Sequence, residues 1–308
     1  MTTPPLAVVT GAFSYSGSAI ARALHARGFA LRTLTNRATP LHPFDGPIDV
    51  QPLQFGDEGR LAASLRGARL LVNTYWVRYA RRGVGFEQAI RNTGVLLRAA
   101  RAAGLERVVH LSVSNPSPAS PLAYYRGKAE VERLVAAAGL PHAIVRPTLV
   151  VGARDVLVNN IAWFLRRLPV FAMPGSGSYR VQPVALDELG ELVAEAACSP
   201  EPALTLDAAG PDTISFEELV RAVARAIGVR PRIVHVPGWL SLAALGFLGL
   251  FLGEPVLTRA ELAGLRAELL VSHTPPRGRT SVLAWLAAHG QDLGRAFASE
   301  QARHFRRS

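Results

Sequence analysis

The chain of 308 residues is short of several things, and each shortage narrows what it can be. It has one cysteine, Cys198, which excludes an internal disulfide and a cysteine-based zinc cluster. No metal site is expected. Cys198 closes the helical pattern ELVAEAACS and reads as a small buried thiol. Aromatic residues make up 7% of the chain, and the arginines are scattered rather than clustered. The net charge of +11 therefore comes without a base-stacking platform, so no nucleic acid is expected. The charge suits a small anionic ligand instead. The N-terminus MTTPPLAVVTG has neither a basic n-region nor a long apolar core, so a bacterial-type cytoplasm is the expectation.

Long uncharged runs are also scarce, with one exception. From Ile233 to Gly253 there is no Asp, Glu, Lys or Arg, and the strongly apolar part is Trp239–Leu252. That part falls short of the roughly 20 residues needed to span a bilayer. It reads first as a buried or interface helix. A protein partner or a membrane surface, peripheral to the inner membrane, is the alternative use of 239–252.

What is present is a rhythm. Apolar runs at 6–11, 29–35, 48–55, 69–76, 107–114 and 142–150 alternate with amphipathic stretches at 16–28, 59–67, 86–104 and 123–139. Strands and helices alternating at this spacing make βαβ units with right-handed crossovers. The fold class is α/β, a Rossmann-type doubly wound parallel sheet with a smaller, mainly helical C-terminal lobe. Residues 1–155, joined by a strand and helix from 184–210, read as the domain built on this sheet. Residues 156–183 and 211–308 read as a substrate or partner lobe. Ser215 and Glu218 form a capping box for the helix at 215–228.

The first turn, TGAFSYSG (10–17), links strand one to helix one. A glycine-rich turn there brings backbone N–H groups and a helix N-terminus to a pyrophosphate. It matches T-G-x-x-G-x-x-G except that Ser14 stands at the middle glycine. A hydroxyl on the phosphate or a weakened pocket are the two consequences. Strand two ends Thr35-Asn36-Arg37, with no acidic residue for a ribose 2′-hydroxyl and an arginine suited to a 2′-phosphate. NADP(H) is expected ahead of NAD(H). Asp57 reads as an adenine contact or as the N-cap of the next helix.

All but one of the 34 Lys and Arg residues are arginine, and the exception is Lys128, in YYRGK. Tyr124 and Lys128 stand i and i+4, on one face of a helix. A free tyrosine titrates near pH 10, and an ammonium nearby lowers that value by stabilising the phenolate. Lysine's compact charge can also reach ribose hydroxyls, which arginine's planar fork does differently. Ser112, with Ser114 as the second choice, would donate to a substrate carbonyl from the end of strand five. Asn92 would tie the preceding helix to this site.

The ordered set TGAFSYSG, QFGD, NTYW, IRNTGVLLRAARAAG, VVHLSVSN, YYRGK, AIVRPTLVVG, YRVQPVALDELGEL and LDAAGPDTISFEEL resembles the atypical and extended short-chain dehydrogenase/reductase superfamily. More narrowly it is similar to the NAD-dependent epimerase/dehydratase-like proteins akin to the NADPH-binding accessory subunit of respiratory complex I. The likeness covers roughly residues 6–230. It implies a phosphate loop at Gly11, Phe13, Ser14, Tyr15 and Gly17. It implies further cofactor contacts at Asn36, Arg37, Asp57, Asn73, Thr74, Lys128 and Pro147, and catalytic roles for Tyr124, Lys128 and Ser112 or Ser114. Trp76, Asn160, Trp163 and Arg180 fall on the substrate side. The implied activity is an oxidoreductase, epimerase or dehydratase acting on a carbonyl or secondary alcohol. The alternative is a non-catalytic NADPH-binding accessory or redox-sensing protein. The serine-to-tyrosine segment is shorter than in sugar-nucleotide epimerases, and 156–184 is apolar, so an apolar small-molecule substrate is favoured over a free sugar. Members of this superfamily often form homodimers.

Overall fold

The apolar runs near the start of the chain become buried parallel strands. A computed structural model describes residues 3–36, 44, 46–77 and 85–299. Its elements begin with β1 (Leu6–Thr10), α1 (Tyr15–Ala26), β2 (Ala30–Leu34), β3 (Ile48–Gln51), α2 (Glu58–Leu65) and β4 (Ala68–Asn73). They continue with α3 (Phe86–Ala102), β5 (Arg107–Leu111), α4 (Ala123–Ala137), β6 (His142–Pro147), β7 (Leu149–Val151), α5 (Leu157–Arg167) and β8 (Val170–Pro174). Then come β9 (Arg180–Val181), β10 (Pro183–Ala185), α6 (Leu186–Cys198), β11 (Ala203–Ala208), β12 (Ile214–Ser215) and α7 (Phe216–Ala226). The last are β13 (Arg232–Val236), α8 (Gly238–Leu252), α9 (Arg259–Arg266) and α10 (Val282–His289). The chain divides into two units, Met1–Pro147 with Leu186–Ala208, and Thr148–Ala185 with Ala209–Arg307.

In the first unit seven strands pair in the order β11-β6-β5-β4-β1-β2-β3, all parallel. The winding reverses between β1 and β4. At such a switch point the loops leaving the two strands diverge and open a crevice at their carboxyl ends. Helices cover both faces. Leu61 and Leu65 of α2, Leu96 of α3 and Val131 and Val135 of α4 pack with Val8, Leu71 and Val108 of the strands, each at most 1% exposed. Full burial of one such side chain is worth roughly 1.5–3 kcal/mol, which makes this layer rigid. α1 and α6 pack against each other. Their approach is close because Gly190 has no side chain: a Cβ there would lie 2.7 Å from the Ala19 carbonyl oxygen.

The second unit is built on its own core. α5, α7 and α10 bring Val158, Leu219, Val223 and Leu286 together, all fully buried. Three two-stranded pairs frame them: β7 with β10 and β8 with β13 parallel, β9 with β12 antiparallel. The capping box at α7 is present, with Ser215 Oγ accepting from the Glu218 amide and the Glu218 carboxylate accepting from the Ser215 amide.

Three expectations need correction. Cys198 is exposed, because it is the last residue of α6 and follows the buried Ala196 and Ala197 off the apolar face. The 239–252 helix is not buried: Trp239, Phe247, Leu250 and Phe251 are 65–78% exposed. β5 stops at Leu111 rather than reaching Ser114, although Ser112 and Ser114 still donate their amides to the carbonyls of Val145 and Pro147.

Gly190→Ala should destabilise the protein by about 1–3 kcal/mol in denaturant melts, since a backbone oxygen rather than a flexible side chain opposes the new methyl. An unchanged midpoint would show that α1 and α6 separate freely.

Candidate active site at the carboxyl end of the parallel sheet

The loop after β1 takes its shape from two glycines and one serine. Gly11 has φ 70°, a left-handed conformation open to glycine. At Gly17 a Cβ would collide with the Gly11 carbonyl, so only glycine lets α1 begin this close to the strand. Ser14 is the N-cap of α1, and its Oγ accepts from the Gly17 amide at 3.2 Å. No acidic residue stands in the first turn, so the helix N-terminus keeps its positive end for an outside anion. A capping hydroxyl that accepts from Gly17 still has its own proton to donate. Phe13 is buried beneath the loop, and Tyr15 is the first residue of the helix.

A buried network ties this loop to its neighbours across the switch point. Thr10 Oγ1 accepts from the Thr74 amide at 2.8 Å, and Thr74 Oγ1 donates to the Thr10 carbonyl. Thr10 Oγ1 also lies 3.3 Å from Asn73 Oδ1, which accepts from the Tyr75 amide at 3.0 Å. Asn73 Nδ2 meets His110 Nδ1 at 3.2 Å. β1, β4 and β5 are thus joined at their carboxyl ends by side chains. His110 is fully buried, and burial first, then the charge of Lys128, pushes its pKa well below the usual value. The imidazole stays neutral, and its Nε2 has no hydrogen-bond partner among the described residues.

Lys128 is 3% exposed. Its Nζ donates to the Leu111 carbonyl at 2.9 Å and lies 4.8 Å from the centre of the Trp76 ring. Burial lowers its pKa to about 7, opposed by the negative charge of Glu132. Glu132 is held by a two-pronged bond from Arg146, at 3.0 and 2.6 Å. Trp76 stacks on Phe86 with centroids 5.7 Å apart, and Tyr124 meets both rings edge-on at 6.0 Å. Gly127 makes room, since a Cβ there would fall 2.9 Å from Trp76. Ser112 is 4% exposed and its Oγ has no hydrogen-bond partner among the described residues. Ser114 is fully buried. Asn92 donates to the Tyr75 hydroxyl at 2.8 Å, fixing α3 to the loop after β4.

Tyr124, Lys128, Trp76 and the β5 terminus carrying Ser112 therefore come together, and Gly11, Ser14, Gly17, Asn73 and Thr74 form the adjoining turn. Pro147 ends β6, hydrogen-bonded to Ser114. Other candidates are committed elsewhere. Asn36 bridges to the backbone of Leu53 with both ends of its amide, at 2.7 and 2.9 Å. Asp57 is the N-cap of α2, accepting from the Arg60 amide at 2.9 Å. Arg37 lies outside the described residues. In the second unit Asn160 is locked to the backbone of Ala298, Trp163 lies under Arg167, and Arg180 is paired with Glu268 at 2.6 Å. The sequence reading missed His110, Phe86 and the Glu132–Arg146 pair. His110 had a signal, as a lone polar residue inside the strand run VVHLSVS.

The buried Ser112 hydroxyl, which has no hydrogen-bond partner among the described residues, and the Gly17 cradle fit a dinucleotide. The turn and helix N-terminus would take the pyrophosphate, and Lys128 and Ser112 would face the nicotinamide end. No family model matches the chain. A mitochondrial NADH dehydrogenase [ubiquinone] 1 alpha subcomplex subunit 9 from Arabidopsis thaliana is 27% identical over 253 residues, 74% of this chain. The chain spans 63% of that protein's length. A ceramide reductase from Caulobacter vibrioides is 28% identical over 242 residues, covering 77% of this chain and 76% of that protein. The NADPH-dependent quinone oxidoreductase QOR2 from Escherichia coli, solved with NADPH, shares the fold with a TM-score of 0.68 at 18% identity, over 92% of this chain and 99% of that one. These likenesses, with the strand order and the turn at 10–17, agree with the resemblance to the atypical and extended short-chain dehydrogenase/reductase superfamily.

Proposed function

We propose that the protein is an NADP(H)-preferring oxidoreductase acting on a carbonyl or secondary alcohol of apolar character. The observation that carries this reading is the buried Lys128, the chain's one lysine, set four residues from Tyr124 beneath an aromatic wall. Burying an ammonium is costly, and a purely structural position would be filled more cheaply by an apolar residue. Bound nicotinamide would supply or accept the hydride. Tyr124 exchanges the proton with the substrate oxygen, and Ser112 donates a hydrogen bond to that oxygen as charge develops on it. Lys128 stabilises the Tyr124 phenolate and binds the nucleotide ribose. Trp76 and Phe86 exclude water and favour an apolar substrate. The missing acid at the end of β2, with Arg37 following in sequence, supports the preference for the 2′-phosphate. The names of the bacterial reductase and quinone oxidoreductase relatives point the same way.

A second reading, a non-catalytic NADPH-binding accessory protein, is favoured by the likeness to the Arabidopsis complex subunit. Turnover separates the two. NADPH oxidation is measured against a panel of apolar ketones, aldehydes and quinones, with sugar nucleotides as controls. Turnover of an apolar carbonyl supports the first reading, and saturable NADPH binding with no turnover supports the second.

In the enzyme, Tyr124→Phe should lower kcat by about 10²–10⁴-fold while the Kd for NADPH stays within about twofold. Equal loss of binding and turnover would make Tyr124 a packing residue. Lys128→Met should do two opposite things. It should weaken NADPH binding and raise the Tm of the nucleotide-free protein, because the buried charge is gone. The gain should be greatest below pH 7. The folded pKa of about 7 lies under the ordinary 10.5, so the wild type itself gains stability as pH climbs between those values. A Tm gain independent of pH would argue against a charged Lys128 in the fold.

A further inference from the structure

We infer that α8 is a membrane-surface anchor, by which the second unit seats on a bilayer of anionic lipid. This inference is independent of the proposed activity. α8 has no charged residue, yet it is not buried. Its fit to the rest of the unit is made by small residues: Gly238, Ser241 and Gly249 are the buried positions. A Cβ at Gly249 would lie 2.7 Å from the Glu254 carbonyl, so the helix is held close on that side. At about 100° per residue, Trp239, Leu240, Phe247, Leu250 and Phe251 fall on one continuous arc opposite these three. They are 43–78% exposed. Ala243, Ala244 and Gly246 complete that face, which has no polar side chain. The polar face that a surface helix needs is supplied by the folded unit behind it.

A protein partner is the poorer occupant. Protein interfaces carry polar groups through and around an apolar centre, and this face offers none. A lipid surface asks only for apolar area with cations beside it. The second unit, within Thr148–Ala185 and Ala209–Arg307, has 13 arginines against eight acidic residues up to position 299. The acids are engaged inside the unit: for example, Glu217 holds Arg221 and His235, Glu268 holds Arg180, and Glu261 caps α9. Arg232, Arg259 and Arg266 are exposed and carry no ion pair among the described residues. Arg266 lies against Gly238, at the first turn of α8. Arg232 and Arg259 open the elements that precede and follow α8 in the chain. The helix is 15 residues, about 22 Å, against about 30 Å of hydrocarbon, so it lies in the interface and does not cross. Among the described residues no helix is long and apolar enough to span a membrane. Trp239 sits at one end, where an indole favours the headgroup level.

The test is co-sedimentation of the full chain with vesicles of phosphatidylcholine alone and of phosphatidylcholine with phosphatidylglycerol. Light scattering follows oligomeric state in parallel. The expected result is binding to the anionic vesicles, several-fold weaker on phosphatidylcholine alone or in high salt. Phe247→Glu with Leu250→Glu should lower it at least tenfold, with circular dichroism and nucleotide affinity unchanged. Brominated lipid should quench wild-type fluorescence more than that of Trp239→Phe. Wild type left in the supernatant, or a double variant that still binds, overturns the proposal. A dimer that the double variant abolishes, with no vesicle binding, assigns the face to a second copy and overturns it too.

Discussion

An ammonium held out of water organises this site. Lys128 pays for its burial with one hydrogen bond, to the Leu111 carbonyl, and a place beside the Trp76 ring. Its neighbours follow from that. Gly127 is glycine because the indole occupies the space a Cβ would need. Glu132, one turn on, offsets part of the charge and is itself held by Arg146 from β6. His110 stays neutral because it is buried and because Lys128 is close. An opposite charge or a set of ribose hydroxyls brought to Lys128 would relieve a cost that the free protein bears alone. That is the physical sense in which the site is incomplete without a ligand.

The second constraint is the switch point of the sheet. β1 and β4 are neighbours whose helices leave to opposite faces, so nothing in the regular fold holds their loops together. Thr10, Asn73, Thr74 and His110 do so with side chains. The glycine-rich turn is fixed on one side by this network and on the other by Ser14 capping α1. The serine at the middle glycine position thus does structural duty as the cap of α1, and a hydroxyl that accepts still has its own proton to donate.

Much of the fold was legible because parallel strands buried on both faces give unbroken apolar runs, and the helices between them repeat near 3.6 residues. Tyr124 and Lys128 were legible because helix spacing is local. Long-range commitments were not. That Asn36 bridges to Leu53, that Asn160 binds Ala298 and that Arg180 pairs with Glu268 depends on chain brought near by folding. Periodicity holds no record of such partners. α8 misled for a different reason. Apolar composition signals removal from water, and burial within the chain is only one way to achieve it.

Lys128 is the chain's one lysine, so its own titration can be followed directly. Protein labelled with carbon-13 at the lysine Cε gives one side-chain NMR resonance, with no assignment to make. The expected titration midpoint is near 7 in the free protein, with a rise when NADPH is added. A midpoint near the ordinary 10.5, unmoved by NADPH, would mean that Lys128 is solvated and apart from any cofactor, and the central claim would fail.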